Sequence, residues 1–243
     1  MAVSRKVAST KTARPRVAAA GRSAAVAPTT QAVRRETSIE LLLAAALRLF
    51  VSQGYRSTNL EQISGAAHLS KGAVYFYFGS KEAMLLGLLQ RVQSIVVDQC
   101  IAQVAGADPS PQAQLVAYIH YQANLGITAR DEVLLLILMS LEFKEREGEV
   151  KACIDTLYQR QRAFVQRLIA AGQASGEFRK DLPSRELAAI VLAANDGTFL
   201  EWFRRSERLT GGTLVRALRT LVLGGVCAPT IKPRASARRG LPA

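Results

Sequence analysis

The residues here whose types and spacing could do chemistry are hydrogen-bond donors on a short helix. In Ser70-Lys71-Gly72-Ala73-Val74-Tyr75-Phe76-Tyr77, the Lys71 ammonium suits guanine O6 and N7 or a phosphate oxygen. Gly72 has no side chain to hold a helix away from a groove floor, and Ala73 can offer only an apolar contact such as one to a thymine methyl. Catalytic sets are missing by comparison. The sequence shows no Ser-His-Asp arrangement, paired carboxylates, phosphate loop or metal-ligand spacing, and its two histidines are His68 and His120. The expectation is nucleic-acid readout, with no enzymatic activity, no cofactor and no metal.

Such a helix needs a partner that sets its angle. Thr58-x-x-Glu61 reads as a capping box that opens a first helix. Ile63 and Ala67 give it an apolar face, and His68-Leu69 make the turn. Ser70 is the N-cap of the second helix, Lys71 to Tyr77. Ser64, Ala66 and Ala67 are small where two steeply crossed helices must approach. Together these features specify a helix-turn-helix whose second helix enters the major groove by its N-terminal end, where Ser70, Lys71, Gly72, Ala73 and Tyr75 are the candidate DNA-binding residues.

Ahead of this unit, Thr37-x-x-Glu40 reads as the start of a first helix with Ile39, Leu43, Ala46 and Phe50 on one face. Gly54 closes it as a left-handed cap, with Tyr55 folding back. The run Ala46, Leu49, Phe50, Gly54, Tyr55, Thr58, then Ile63, Ala67, Ser70, Gly72, Tyr75, Tyr77, Phe78, Ser80, Lys81, Glu82 resembles the DNA-binding domain of the TetR family of bacterial transcriptional regulators. The likeness is strong over residues 36 to 90 and holds only in outline beyond. It implies that Tyr75 is partly packed, that the Tyr77 hydroxyl reaches a phosphate, and that Thr58 and Lys81 contact phosphates at helix N-termini, where unpaired N–H groups favour anions. Phe76 and Phe78 read as core. His68 stands where the family usually has glycine, a residue type that tolerates positive φ at small cost.

Charge is segregated. Of the net +13, residues 1 to 35 hold +8 and residues 229 to 243 hold +4, leaving +1 between them. From Glu36 to Gln90, Arg48, Arg56, Lys71 and Lys81 balance Glu36, Glu40, Glu61 and Glu82. Long-range attraction to a polyanion must come from the ends, which read as disordered basic arms because they are rich in Ala, Ser, Pro and Arg. The N-terminal arm either follows phosphates and the minor groove or is a plain solvated tail, and its composition also resembles an organellar transit peptide. Cys100, Cys153 and Cys227 are scattered, which fits buried thiols in a reducing compartment. The richest apolar run, Val133 to Leu141, is too short to span a membrane.

The expected architecture is all-α: a three-helix head over 36–82 and a helical ligand-binding and dimerisation body over 83–228. Gly79 breaks the chain and Ser80 caps a long helix with Leu85, Leu88, Val92 and Ile95 on its apolar stripe. After Asp108-Pro109-Ser110-Pro111, helices are predicted near 112–127, 131–146, 149–173, 184–206 and 212–226. Ala189, Ala193 and Gly197, with Leu214, Leu218, Leu221 and Gly225, could form a four-helix interface between two copies. Tyr118, His120, Tyr121, Asn124, Met139, Phe143, Tyr158, Asn195 and Trp202 are the groups that could orient a small hydrophobic ligand. The resemblance implies a cytoplasmic homodimeric repressor on a roughly palindromic double-stranded operator, released by a small-molecule inducer. The alternative is an architectural DNA binder that relies on its basic tails.

Overall fold

The computed structural model describes residues 30–205 and 207–228. Among them every extended element is a helix: α1 (Thr30–Gln53), α2 (Leu60–Ala66), α3 (Lys71–Tyr77), α4 (Lys81–Gln93), α5 (Gln99–Ala105), α6 (Pro111–Thr128), α7 (Arg130–Glu142), α8 (Glu149–Ser175), α9 (Ser184–Arg204) and α10 (Gly211–Val226). The arm expected over 1–35 lies outside the described residues up to position 29, but residues 30–35 are helical, a correction to that boundary; the tail from 229 onward also lies outside.

Helix α1 begins at Thr30, seven residues before the expected cap at Thr37. The Thr37 and Ser38 hydroxyls donate back to the carbonyls of Val33 and Arg34, at 2.9 and 3.0 Å, and are interior helix residues. The first turns have no apolar face, so periodicity could not show them. At the other end Gly54 has φ +87° and Tyr55 packs on Phe50 with ring centroids 5.2 Å apart, the cap that was expected. In the α2–α3 turn His68 sits at φ +54°. His68 and Leu69 N–H groups close onto Gly65 and Ser64 carbonyls, the paired bonds of a Schellman end. Ser70, Ser80 and Ser110 each accept from the N–H three residues on, capping α3, α4 and α6.

The long helix after Ser80 is not uniform. Between α4 and α5, residues Ser94–Asp98 form a π-helical turn. A π turn frees backbone carbonyls, and α6 supplies their donors: Tyr121 Oη donates to Ile95 at 2.6 Å and Gln122 Nε2 to Val96 at 3.3 Å. Helix α7 stops at Glu142, four residues short of the expectation, because Phe143 turns down onto Tyr55, with ring centroids 5.2 Å apart.

Two apolar clusters hold the chain. One joins Phe50, Ile63 and Val74 to Leu85, Met84, Leu135, Met139, Phe143 and Leu157, so the head and the near half of the body share one core. The other gathers Leu115, Tyr118, Val165, Val191, Leu218 and Val222 from α6, α8, α9 and α10, with Phe178 from the loop between α8 and α9. Each such fully buried side chain stabilises by roughly 1.5–3 kcal/mol. Cys100 belongs to the second cluster, and burial pushes its thiol up to about 12. Cys153 and Cys227 are only partly covered, a correction to the expectation that the thiols are buried.

Candidate functional site

Helix α3 buries Val74 and half-buries Ala73 and Tyr77, with Phe78 half-buried just beyond its end, so its helical period turns Lys71, Gly72, Tyr75 and Phe76 outward. Tyr75 is 50% exposed and Phe76 79%. Phe76 is therefore not a core residue, as bulk alone suggested. The signal was in the sequence, since residues three and four apart share a face and Val74 with Tyr77 and Phe78 already fills the inward one. Gly72 has nothing nearer to a hypothetical Cβ than Ser70 Oγ at 3.7 Å, so the protein itself imposes no need for glycine there. Lys71 pairs with Glu61 on α2, both exposed; the pairing holds the Glu61 carboxyl below its usual range and raises the Lys71 ammonium.

Thr58 and Lys81 have other duties. The first N-cap of the motif is Asn59, whose side chain accepts from Gln62 N–H at 2.9 Å while Gln62 Oε1 accepts from Asn59 N–H at 2.7 Å. This reciprocal pair replaces the expected Thr58–Glu61 box. Thr58 is 1% exposed and its hydroxyl donates to the Gly54 carbonyl at 2.9 Å, which leaves no side-chain donor for a phosphate. Lys81 Nζ donates to the carbonyls of Tyr55 at 2.8 Å, Thr58 at 2.7 Å and Arg56 at 3.4 Å, and lies 4.4 Å from the Tyr55 ring centre. It ties the loop after α1 to the start of α4; partial burial lowers its pKa. Tyr77 packs against the head core and meets Phe76 edge-on.

In the body a cavity of about 320 Å³ lies between α6, α9 and α10. His120, Asn124, Asn195 and Trp202 line it, together with Phe199, Thr198 and Leu214, which sequence reasoning did not select. Gly126 and Gly211 make room for the rings: a Cβ on either would stand 3.4 Å from Phe199 or Trp202. The other expected ligand residues lie elsewhere. Tyr121 secures the π turn, and Met139 and Phe143 sit at the seam between head and body. Tyr118 and Tyr158 belong to a covered polar group with Gln161 and Asp196. The Tyr118 hydroxyl is fully buried without a geometrically sound hydrogen bond. Burial raises Tyr158 to about 12 and Asp196 to about 6, the latter opposed by a hydrogen bond from Asn195.

Residues 42–88 match the model of the bacterial regulatory proteins of the tetR family, and residues 90–225 match the C-terminal region of YsiA-like proteins. The chain belongs to the TetR family. Its fold is that of the MbdR regulator from Azoarcus sp. CIB, with a TM-score of 0.72 at 44% identity, covering 79% of this chain and 100% of that one. The transcriptional repressor KstR2 of Rhodococcus jostii is 26% identical over 194 residues, 77% of this chain and 90% of its own length. The regulator YuxN of Bacillus subtilis is 48% identical over only 50 residues, 21% of this chain and 17% of that protein. As a member of that family the chain is a DNA-binding transcriptional regulator. Among the described residues no helix is long and apolar enough to cross a membrane.

Proposed function

We propose that the chain is a homodimeric cytoplasmic repressor that occupies a roughly palindromic operator and leaves it when a small apolar molecule enters the body. The observation that carries this reading is that Thr198, Leu214 and Leu218 line both the cavity and the apolar groove between α9 and α10. Whatever fills the cavity presses on the surface where a second copy would sit. That surface is apolar without cover: Ile190 is 66% exposed and Leu221 75%, and the small residues Ala189, Ala193 and Gly197 face outward beside them. A twofold pairing there would set two α3 helices in major grooves one helical turn, about 34 Å, apart.

The cavity suits a compact, largely apolar ligand, with Phe199 and Trp202 as walls and Asn124, Asn195 and His120 as orienting groups. Release follows when that ligand prefers the body arrangement whose heads are wrongly spaced. Repression as the sign of regulation draws on the relation to KstR2. The basic arms add phosphate contacts, and sequence choice stays with Lys71, Gly72, Ala73, Tyr75 and Phe76. The test is Leu221→Glu. Light scattering should show monomers with unchanged helical circular dichroism, and affinity for a duplex selected from a randomised pool should fall at least about 100-fold, or ~2.7 kcal/mol. A variant that stays dimeric and binds as before would overturn the proposed interface.

A further inference from the structure

Two demands meet on the Arg56 guanidinium. The residue lies in the loop between α1 and α2, and its side chain is 74% exposed. On one side it lines an open cleft of about 450 Å³ with Asn59, Tyr75, Lys81 and the paired Lys71 and Glu61, next to the outward face of α3. On the other side its Nε donates to Glu142 Oε1 at 2.5 Å, at the C-terminal end of α7 in the body. That same oxygen accepts from Arg146 Nη2 at 2.6 Å, and Glu142 is only 25% exposed. Arg146 lies over Phe143, whose ring meets Tyr55. Glu142 therefore keeps a cation if Arg56 leaves it. No described residue other than Glu142 takes a hydrogen bond from the Arg56 guanidinium.

Because Arg56 is largely in water and Glu142 keeps Arg146, the pair is cheap to open. A guanidinium set on a phosphate gains a charge-assisted contact and releases a condensed counterion. We infer that Arg56 is a DNA-phosphate ligand that Glu142 competes for, so that the position of the α7 terminus sets how much cation the head offers to the operator. The inference rests on the reading of the α3 face as the surface that meets DNA. Movement of the body that brings Glu142 closer withdraws Arg56; movement away releases it.

The experiment is a double-mutant cycle on the full chain, titrated against a duplex selected from a randomised pool over a range of salt. Arg56→Met keeps the aliphatic stem and should bind about tenfold more weakly near 0.1 M salt, with the slope of log K against log salt shallower by about 0.9. Glu142→Gln should bind severalfold more tightly, and should change nothing when Arg56 is already Met. That last result separates competition from the general benefit of deleting an acid near DNA, which would persist without Arg56. An unchanged slope in Arg56→Met, no gain in Glu142→Gln, or the same gain in both backgrounds would each overturn the inference. Phe76→Ala, run alongside, isolates the underlying reading. If it keeps full sequence preference, the α3 face is not the reader, and the proposal for Arg56 goes with it.

Discussion

Two glycines mark the difference between the halves of this molecule. Gly172, on α8 in the body, has the Phe178 ring so close that a Cβ would stand 2.1 Å from Cδ2. Gly72, on α3 in the head, has an open flank. In the body the absent side chain is used up by the protein's own packing, whereas in the head it is left for something else to use. The head keeps its chemistry on the outside of a local motif. The body keeps its own inside, between helices far apart in sequence.

The largest effect is expected from Gly172→Ala. Phe178 must swing out of the core or α8 must shift, at a cost of about 3 kcal/mol. A melting temperature lowered by roughly 6–12 °C is expected for a chain of this size; a loss of under about 1 °C would mean that the ring is not seated as described. Next comes Asp196→Asn. Burial disfavours the charge of the Asp196 carboxyl and pushes it from the ordinary 3.8 up to about 6 in the folded chain. The folded state therefore holds a proton that the unfolded state gives up, and stability falls as pH rises through the window between those values. Above it the ionised, covered carboxylate costs about 2 kcal/mol once partial solvation is allowed for. The Asn variant should melt higher than the parent at pH 7.5 and lose this slope between pH 4 and 6.5. A parallel pH profile in parent and variant would show that Asp196 is freely hydrated. The smallest effect is Gly72→Ala, and it should have opposite signs in two assays. Helix propensity stabilises the head by about 0.5–1 kcal/mol, while the added methyl reduces affinity for the selected duplex severalfold. If binding instead improves with stability, Gly72 does not face the groove.

The same contrast explains what could be read in advance. Helix limits were legible because Pro111, Gly148, Gly176 and Pro183 interrupt periodic runs, and the structure places α6, α8, α9 and α10 within two residues of the expected bounds. The α3 face was legible because seven consecutive residues carry it, although Phe76 was set in the core on its bulk. The bonds of Thr58 and Lys81 were hidden for another reason: their donors are taken up by carbonyls of Gly54, Tyr55 and Thr58 in the loop after α1. Nothing in a local pattern shows that. In the body, a polar or aromatic residue in an apolar run marks only that it is covered. Tyr121, Phe143, Tyr118 and Trp202 met that criterion equally, and they serve a π turn, a seam, an interior polar group and a cavity wall. Two segments far apart in sequence, α6 and α9, had to come together before Phe199 and Gly126 could be recognised as neighbours.

The π turn at Ser94–Asp98 has a mechanical meaning. Because Tyr121 and Gln122 grip the carbonyls of Ile95 and Val96, α6 holds the long helix part-way along its length rather than at a tip. Residues Gln122 to Asn124 of that same helix wall the cavity. A displacement of α6 by an occupant would thus arrive at a built-in joint, with Lys81 and the loop after α1 at the far end of α4, the longer arm beyond it.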